Sequence, residues 1–150
     1  MALVKSPKEL AQWMDLTLLK PDAVRGDIER TCKVARELKL HGLCVHGSRV
    51  LFAKAILEDT DVLVITVAGF PFGASDTDTK RFETEVAVDN GAQEIEVVAN
   101  LGWLKEREDS KIVRELCDVV EAADDRPVGV IMEASLLSNE EKTRLCEMAI

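Results

Sequence analysis

Cysteine is scarce and unpatterned in this chain. Its four residues, Cys32, Cys44, Cys117 and Cys146, show no CxxC spacing and no histidine at metal-ligand intervals. That argues against a zinc module, and free thiols in a reducing compartment are the economical reading. Glycine (eight) and proline (four) are too few for a low-complexity chain. Lysine and arginine never gather into a patch, and the net charge is −9. Nonspecific nucleic-acid binding, which displaces counterions from phosphates, is thereby disfavoured, whereas a small anionic substrate needs only a local positive site. No apolar run approaches the roughly 20 residues of a membrane span, and neither terminus resembles a signal peptide. The expectation is a cytoplasmic protein with no membrane and no nucleic-acid partner.

What remains is a chain of 150 residues, 47% hydrophobic, enough for one domain with a real core and too short for two ordinary ones. Local signals place a rhythm of strands and helices on it. SPKE puts Ser6 at an N-cap, Pro7 at the first helical position and Glu9 where a capping box wants it. Strand candidates follow at 15–19, 42–46, 62–68, 94–100 and 127–133, with helices over 24–39, 48–58, 77–90 and 108–123. In the first of these, Ile28, Cys32, Ala35 and Leu38 form one stripe, and Gly42 fits the turn after it. Gly91 closes the third, and a final helix begins at Ser138, with Glu141 completing a second capping box, and runs into the chain end.

Such alternation implies a parallel sheet with right-handed crossovers. Two architectures compete. Length favours an open doubly wound sheet, since a complete (β/α)8 barrel takes about 250 residues. The faces favour part of a barrel. Alternation gives each strand one apolar side and one mixed side, the latter carrying Asp15 and Thr17, Cys44 and His46, Val64 and Thr66, Glu94 and Glu96, and Ile131 and Glu133. A sheet covered by helices on both sides gives no reason for a polar face on strand after strand, whereas a barrel gathers polar groups inside. Glu94, near its strand start, fits least well and is expected to face solvent at the bottom.

The stretches DLTLLKPDA, GLCVHGS, VAGFPFGAS, TKRFETEVAVDNGAQEIEVVANLGWLK and VIMEASLLSNEEK, in this order and spacing, resemble the deoxyribose-phosphate aldolase family. The resemblance covers almost the whole chain. It implies a (β/α)8 TIM-barrel fold, of which residues 1–150 supply about five β/α units and an N-terminal helix as a single partial domain. It also implies reversible cleavage of 2-deoxy-D-ribose 5-phosphate to acetaldehyde and glyceraldehyde 3-phosphate through a lysine Schiff base, without metal or organic cofactor.

By the same resemblance, Glu96 stands at the catalytic proton-relay aspartate, Asp15 at the acid of the first strand, and Cys44 at the cysteine beside the substrate. Thr17 and Glu133 join Cys44 as candidate substrate contacts. Glutamate for aspartate displaces the carboxylate by about an ångström, a shift that can cost roughly 100-fold in rate. The family's common lysine on the fifth strand is Gly129 here, and the threonine after its glutamate is Ala134. Its Schiff-base lysine, its second lysine and its phosphate loops belong to the sixth to eighth strands. The chain thus reads as the N-terminal part of a longer barrel.

Each candidate has a plainer reading. Glu96 could be a solvated carboxylate, Asp15 a turn-stabilising acid, Cys44 a small buried hydrophobe, and Glu133 a solvated loop residue. His41 and His46 have no partner spacing and read as surface or loop residues. GFPFGAS lacks a nucleotide-loop pattern and reads as a turn at the rim. Lys20 and Lys105 are expected in loops after strands one and four, beside acids that would not lower an amine's pKa. The alternative to an aldolase is a shortened, non-catalytic subunit that homo-oligomerises to cover its open sheet edges.

Overall fold

The computed structural model describes residues 6–150. Five strands, β1 (Asp15–Leu18), β2 (Gly42–Val45), β3 (Leu63–Ala68), β4 (Glu94–Val98) and β5 (Val128–Ile131), form one sheet. Seven helices surround it: α1 (Pro7–Ala11), α2 (Arg25–Leu38), α3 (Val50–Leu57), α4 (Thr77–Asp89), α5 (Leu101–Lys105), α6 (Asp109–Ala122) and α7 (Asn139–Met148). Every pairing is parallel, and the spatial order is β1-β2-β3-β4-β5. A doubly wound sheet must reverse its strand order at a switch point; this one never does. The fold is therefore of the TIM-barrel type, with five consecutive units present.

The helices start and stop where side chains satisfy their free backbone groups. Ser6 accepts from the Glu9 N–H, Asp76 from Thr79, Asn100 from Trp103, and Ser138 from Glu141, whose carboxylate returns the bond to the Ser138 N–H. Gly91, at φ 97°, turns the chain out of α4. The turn after α2 is made by Lys39 in the left-handed region, not by Gly42, which is already in β2. On α2 the inward stripe is Ile28, Cys32 and Ala35; Leu38, expected with them, is exposed because the helix is already leaving the core there.

The main core lies between the sheet and its helices. Leu43, Val45, Val64, Ile95 and Val97 point into it and meet Ala53, Ala87, Ile112 and Val119. Each fully buried side chain such as Ile95 or Ile112 contributes roughly 1.5–3 kcal/mol. The opposite face of the sheet carries a small second cluster, Cys44, Ile65 and Val67.

That cluster corrects the faces of β3. The mixed side of this strand was expected to hold Val64 and Thr66; instead Ile65 and Val67 lie beside Cys44, and Val64 packs with the helices. Thr66 is buried, and its hydroxyl donates to the Val45 carbonyl. Once bonded to the neighbouring strand, a threonine is no longer a mark of a wet face.

Candidate active site

The register brings the lumen residues level. Thr17 pairs with Cys44 and Cys44 with Ile65; Val67 pairs with Glu96 and Glu96 with Gly129. In a parallel sheet, partners in register share a face. Asp15 lies two residues before Thr17, opposite Gly42. A Cβ on Gly42 would fall 2.8 Å from Asp15 Oδ1 and 2.4 Å from Ile65 Cδ1, so those two side chains use the space glycine leaves. Asp15 and Thr17 are exposed on the first strand, Glu96 is half-buried, and Cys44 is buried.

The Cys44 thiol donates to Glu96 Oε2 at 3.7 Å. Burial is the main reason the Glu96 carboxyl is held above the ordinary carboxylate range; the Cys44 bond opposes this, while the charges of Asp15 and Glu94 add to it. Burial likewise pushes the Cys44 thiol up to about 12, with further upward contributions from Glu96, Asp15 and Glu94. The arrangement suits a carboxyl that keeps or exchanges a proton and a thiol that stays protonated. Cys44 has the environment of a packing residue and hydrogen-bond donor, not of a nucleophile.

Glu133 does not join this group. The strand ends at Ile131, Glu133 has left-handed backbone (φ 45°), and its exposed carboxylate accepts from the Ser135 hydroxyl. Alternation cannot be carried past the last paired residue, which is why the sequence placed it on the inner face. Glu94 lies at the strand start, where His41 Nε2 approaches its carboxylate at 3.5 Å. Lys105 sits at the end of a short helix, α5, where a loop was expected. It donates to the Leu136 carbonyl and to Glu141, away from the lumen. A Cβ on Gly129 would lie 3.9 Å from Glu96 Cγ, so position 129 faces the carboxylate and supplies no charge to it.

One element of the surroundings escaped the sequence reading. Lys80 of α4 is completely buried, and its Nζ donates to Glu115 of α6 at 2.7 Å and to the Val98 carbonyl at 2.8 Å. Burial holds the Glu115 carboxyl above its usual range in spite of that lysine; the Asn100 N–H and Thr77 hydroxyl also favour its charged form, though Oε2 has no partner at hydrogen-bond geometry. Lys80 runs directly beneath Gly69, where a Cβ would meet its Cε at 2.8 Å. Gly69 also donates its N–H to Glu83, and Gly73 abuts the Ala99 carbonyl. The rim loop 69–73 and the end of β4, two residues beyond Glu96, are thus fastened at one point. The signal was present in the sequence. Lys80, Thr84 and Ala87 share a helical stripe, as do Glu115, Ile112 and Val119, and both stripes face inward.

No group of three or more His, Cys, Asp or Glu able to hold a metal occurs among the described residues, and no helix there is long and apolar enough to cross a membrane.

No family model matches the chain. Individual proteins do. A deoxyribose-phosphate aldolase of Alkaliphilus oremlandii is 45% identical over 141 residues, 93% of this chain and 64% of that protein. A crystal structure from Coccidioides immitis, provisionally assigned to the same family, superposes with a TM-score of 0.95 at 32% identity, covering 99% of this chain and 58% of the other. A deoxyribose phosphate aldolase from Aeropyrum pernix, described as a tetramer of unique structure, gives a TM-score of 0.87 at 26% identity, covering 96% and 61%. The chain spans less than two thirds of the length of these proteins.

Proposed function

We propose that this relative of the deoxyribose-phosphate aldolases forms the acid-bearing part of a Schiff-base aldolase site, acting on 2-deoxy-D-ribose 5-phosphate or a close phosphorylated sugar. Glu96 is the proton-relay group and Asp15 its acidic neighbour. Cys44 and Thr17 contact the substrate, and Glu133 enters that role only if the loop after β5 closes inward. The observation that carries the reading is the half-buried Glu96, raised above the usual carboxylate range and bonded to Cys44, on the inner face of a barrel-type sheet. A carboxyl poised in this way can take the proton from the aldol hydroxyl as the carbon–carbon bond breaks, then return it as the product is released.

The amine has to come from elsewhere. No lysine occupies the inner face of β1–β5, and Lys80, the one fully buried lysine among the described residues, is committed on the helical side. The test is a chimaera joining residues 1–150 to the remaining third of the Alkaliphilus protein. Borohydride trapping with acetaldehyde, read by intact mass, is expected to mark the chimaera and not the 150-residue chain. In the chimaera, Glu96→Gln should lower turnover about 100-fold or more while leaving the fold intact. Unchanged turnover would remove Glu96 from the mechanism.

A second reading is favoured by Gly129, which sets hydrogen where the resemblance puts a lysine facing the acid. On that reading the chain is a non-catalytic subunit, and a folded chimaera with no trappable amine and no cleavage is the result that selects it.

A further inference from the structure

A well-formed concavity lies outside the acidic lumen. It is a cavity of about 550 Å³ at the C-terminal ends of β1–β3, walled by the loops after those strands and by α2 and α4. Glu96, Cys44, Asp15 and Thr17 take no part in its lining, and of the lumen cluster only Val67 reaches it. Leu18, Ile28 and Ala87 in its wall belong to the core on the helical side.

Its lining divides into two kinds of surface. One is apolar and exposed: Phe70, Phe82 and Val86 remain 36%, 63% and 41% accessible. The other is polar and cationic. Lys20 makes no side-chain hydrogen bond or ion pair among the described residues. Arg49 donates one N–H, to the Ala23 carbonyl, and holds no carboxylate. By contrast Arg30, Arg81, Arg107, Arg114, Arg126 and Arg144 are each paired with an acid.

His46 is fixed between these two surfaces. Its Nε2 lies 3.1 Å from the Leu19 carbonyl and its ring meets Phe70 edge-on at 5.7 Å, leaving Nδ1 unused. The Ser48 hydroxyl has no partner among the described residues either. The single acid, Glu83, has one oxygen engaged by the Gly69 N–H, and two cations outweigh it. Pockets that bind small molecules combine an apolar wall with a few converging polar groups in this manner.

We propose that this rim cavity is a second binding site, separate from the lumen, for a small organic anion with a flat apolar body and a phosphate or carboxylate head. The body lies against Phe70, Phe82 and Val86, and the head is held by Lys20, Arg49 and Ser48. A polyhydroxylated sugar fits it poorly, because much of the wall offers no hydrogen-bond partner. The inference does not depend on the aldolase reading.

Phenyl phosphate is the probe, followed by amide chemical shifts and calorimetry on the whole chain. It is expected to bind about tenfold more tightly than inorganic phosphate, with benzoate measuring the carboxylate head and benzyl alcohol the uncharged body. The shifts should fall on residues 20–23, 46–49 and 82–86. Lys20→Met should weaken binding about fivefold and Phe82→Ala about threefold, and both positions are exposed, so the fold is kept. Glu96→Gln should leave the affinity unchanged, and deoxyribose 5-phosphate should compete no better than inorganic phosphate. Binding no tighter than inorganic phosphate, shifts centred on Cys44 and Glu96, or indifference to both cavity variants would overturn the proposal.

Discussion

Glu96 links the sequence to a measurable quantity. Its carboxyl binds a proton more tightly in the folded chain than the ordinary value of 4.5, chiefly because it is buried. Between that value and its folded pKa the native state holds more proton than the unfolded state. Stability contributed by this group therefore falls as pH rises through the window. Glu96→Gln removes the titration. Its melting temperature should match the parent's at about pH 4 and exceed it by about 2–4 °C at about pH 8; an offset independent of pH would contradict the assignment. The thiols give a second check. Burial pushes Cys32 up to about 11 and Cys44 to about 12, whereas Cys117 and Cys146 are exposed. Maleimide at neutral pH should label only Cys117 and Cys146, counted by intact mass. At this scale the sequence was legible wherever alternation held, as at Cys44 and Glu96. It failed at Glu133, where the strand had already ended.

Among the elements, α4 and α6 show what a charge pattern hides. Nothing in the sequence links a lysine to a glutamate 35 positions away, yet Lys80 and Glu115 meet with no exposure at all. Breaking such a pair strands one charge in the interior, a loss of about 3–5 kcal/mol, whereas exchanging both for apolar residues is often neutral or favourable. Lys80→Met should therefore destabilise strongly in urea, and Lys80→Met with Glu115→Leu should recover most of the loss. A double variant as weak as the single one would mean that the bond to the Val98 carbonyl, not the ion pair, carries the effect. The reversed faces of β3 have a related origin. VLVITVA is apolar on both sides, so Thr66 alone suggested an orientation, and its hydroxyl is spent on Val45. The short α5 went unread because a single turn of LGWLK is too brief for periodicity to register.

At the scale of the molecule, β1 and β5 each pair on one side only among the described residues. Free strand edges invite pairing with other chains, and a second copy is the readiest supplier. Light scattering of the purified chain should give a mass at least twice that of one chain, rising with concentration; a monomer throughout would contradict this reading. The strand-helix rhythm and the parallel pairing could be inferred from periodicity, and the barrel type from the polar faces. Where a cavity would open at the rim could not. The rim cavity is assembled from three loops and from helices α2 and α4, distant in sequence, and only their packing brings Lys20, His46 and Phe82 round one space.

The crossing of Lys80 beneath Gly69 has a further consequence for how this chain can change by descent. A side chain at 69 would obstruct the lysine stem, a shorter residue at 80 would abandon Glu115, and a neutral residue at 115 would leave an ammonium without its counter-ion. Positions 80 and 115 should accordingly change together, and a side chain should appear at 69 only in lineages where the long residue at 80 has gone.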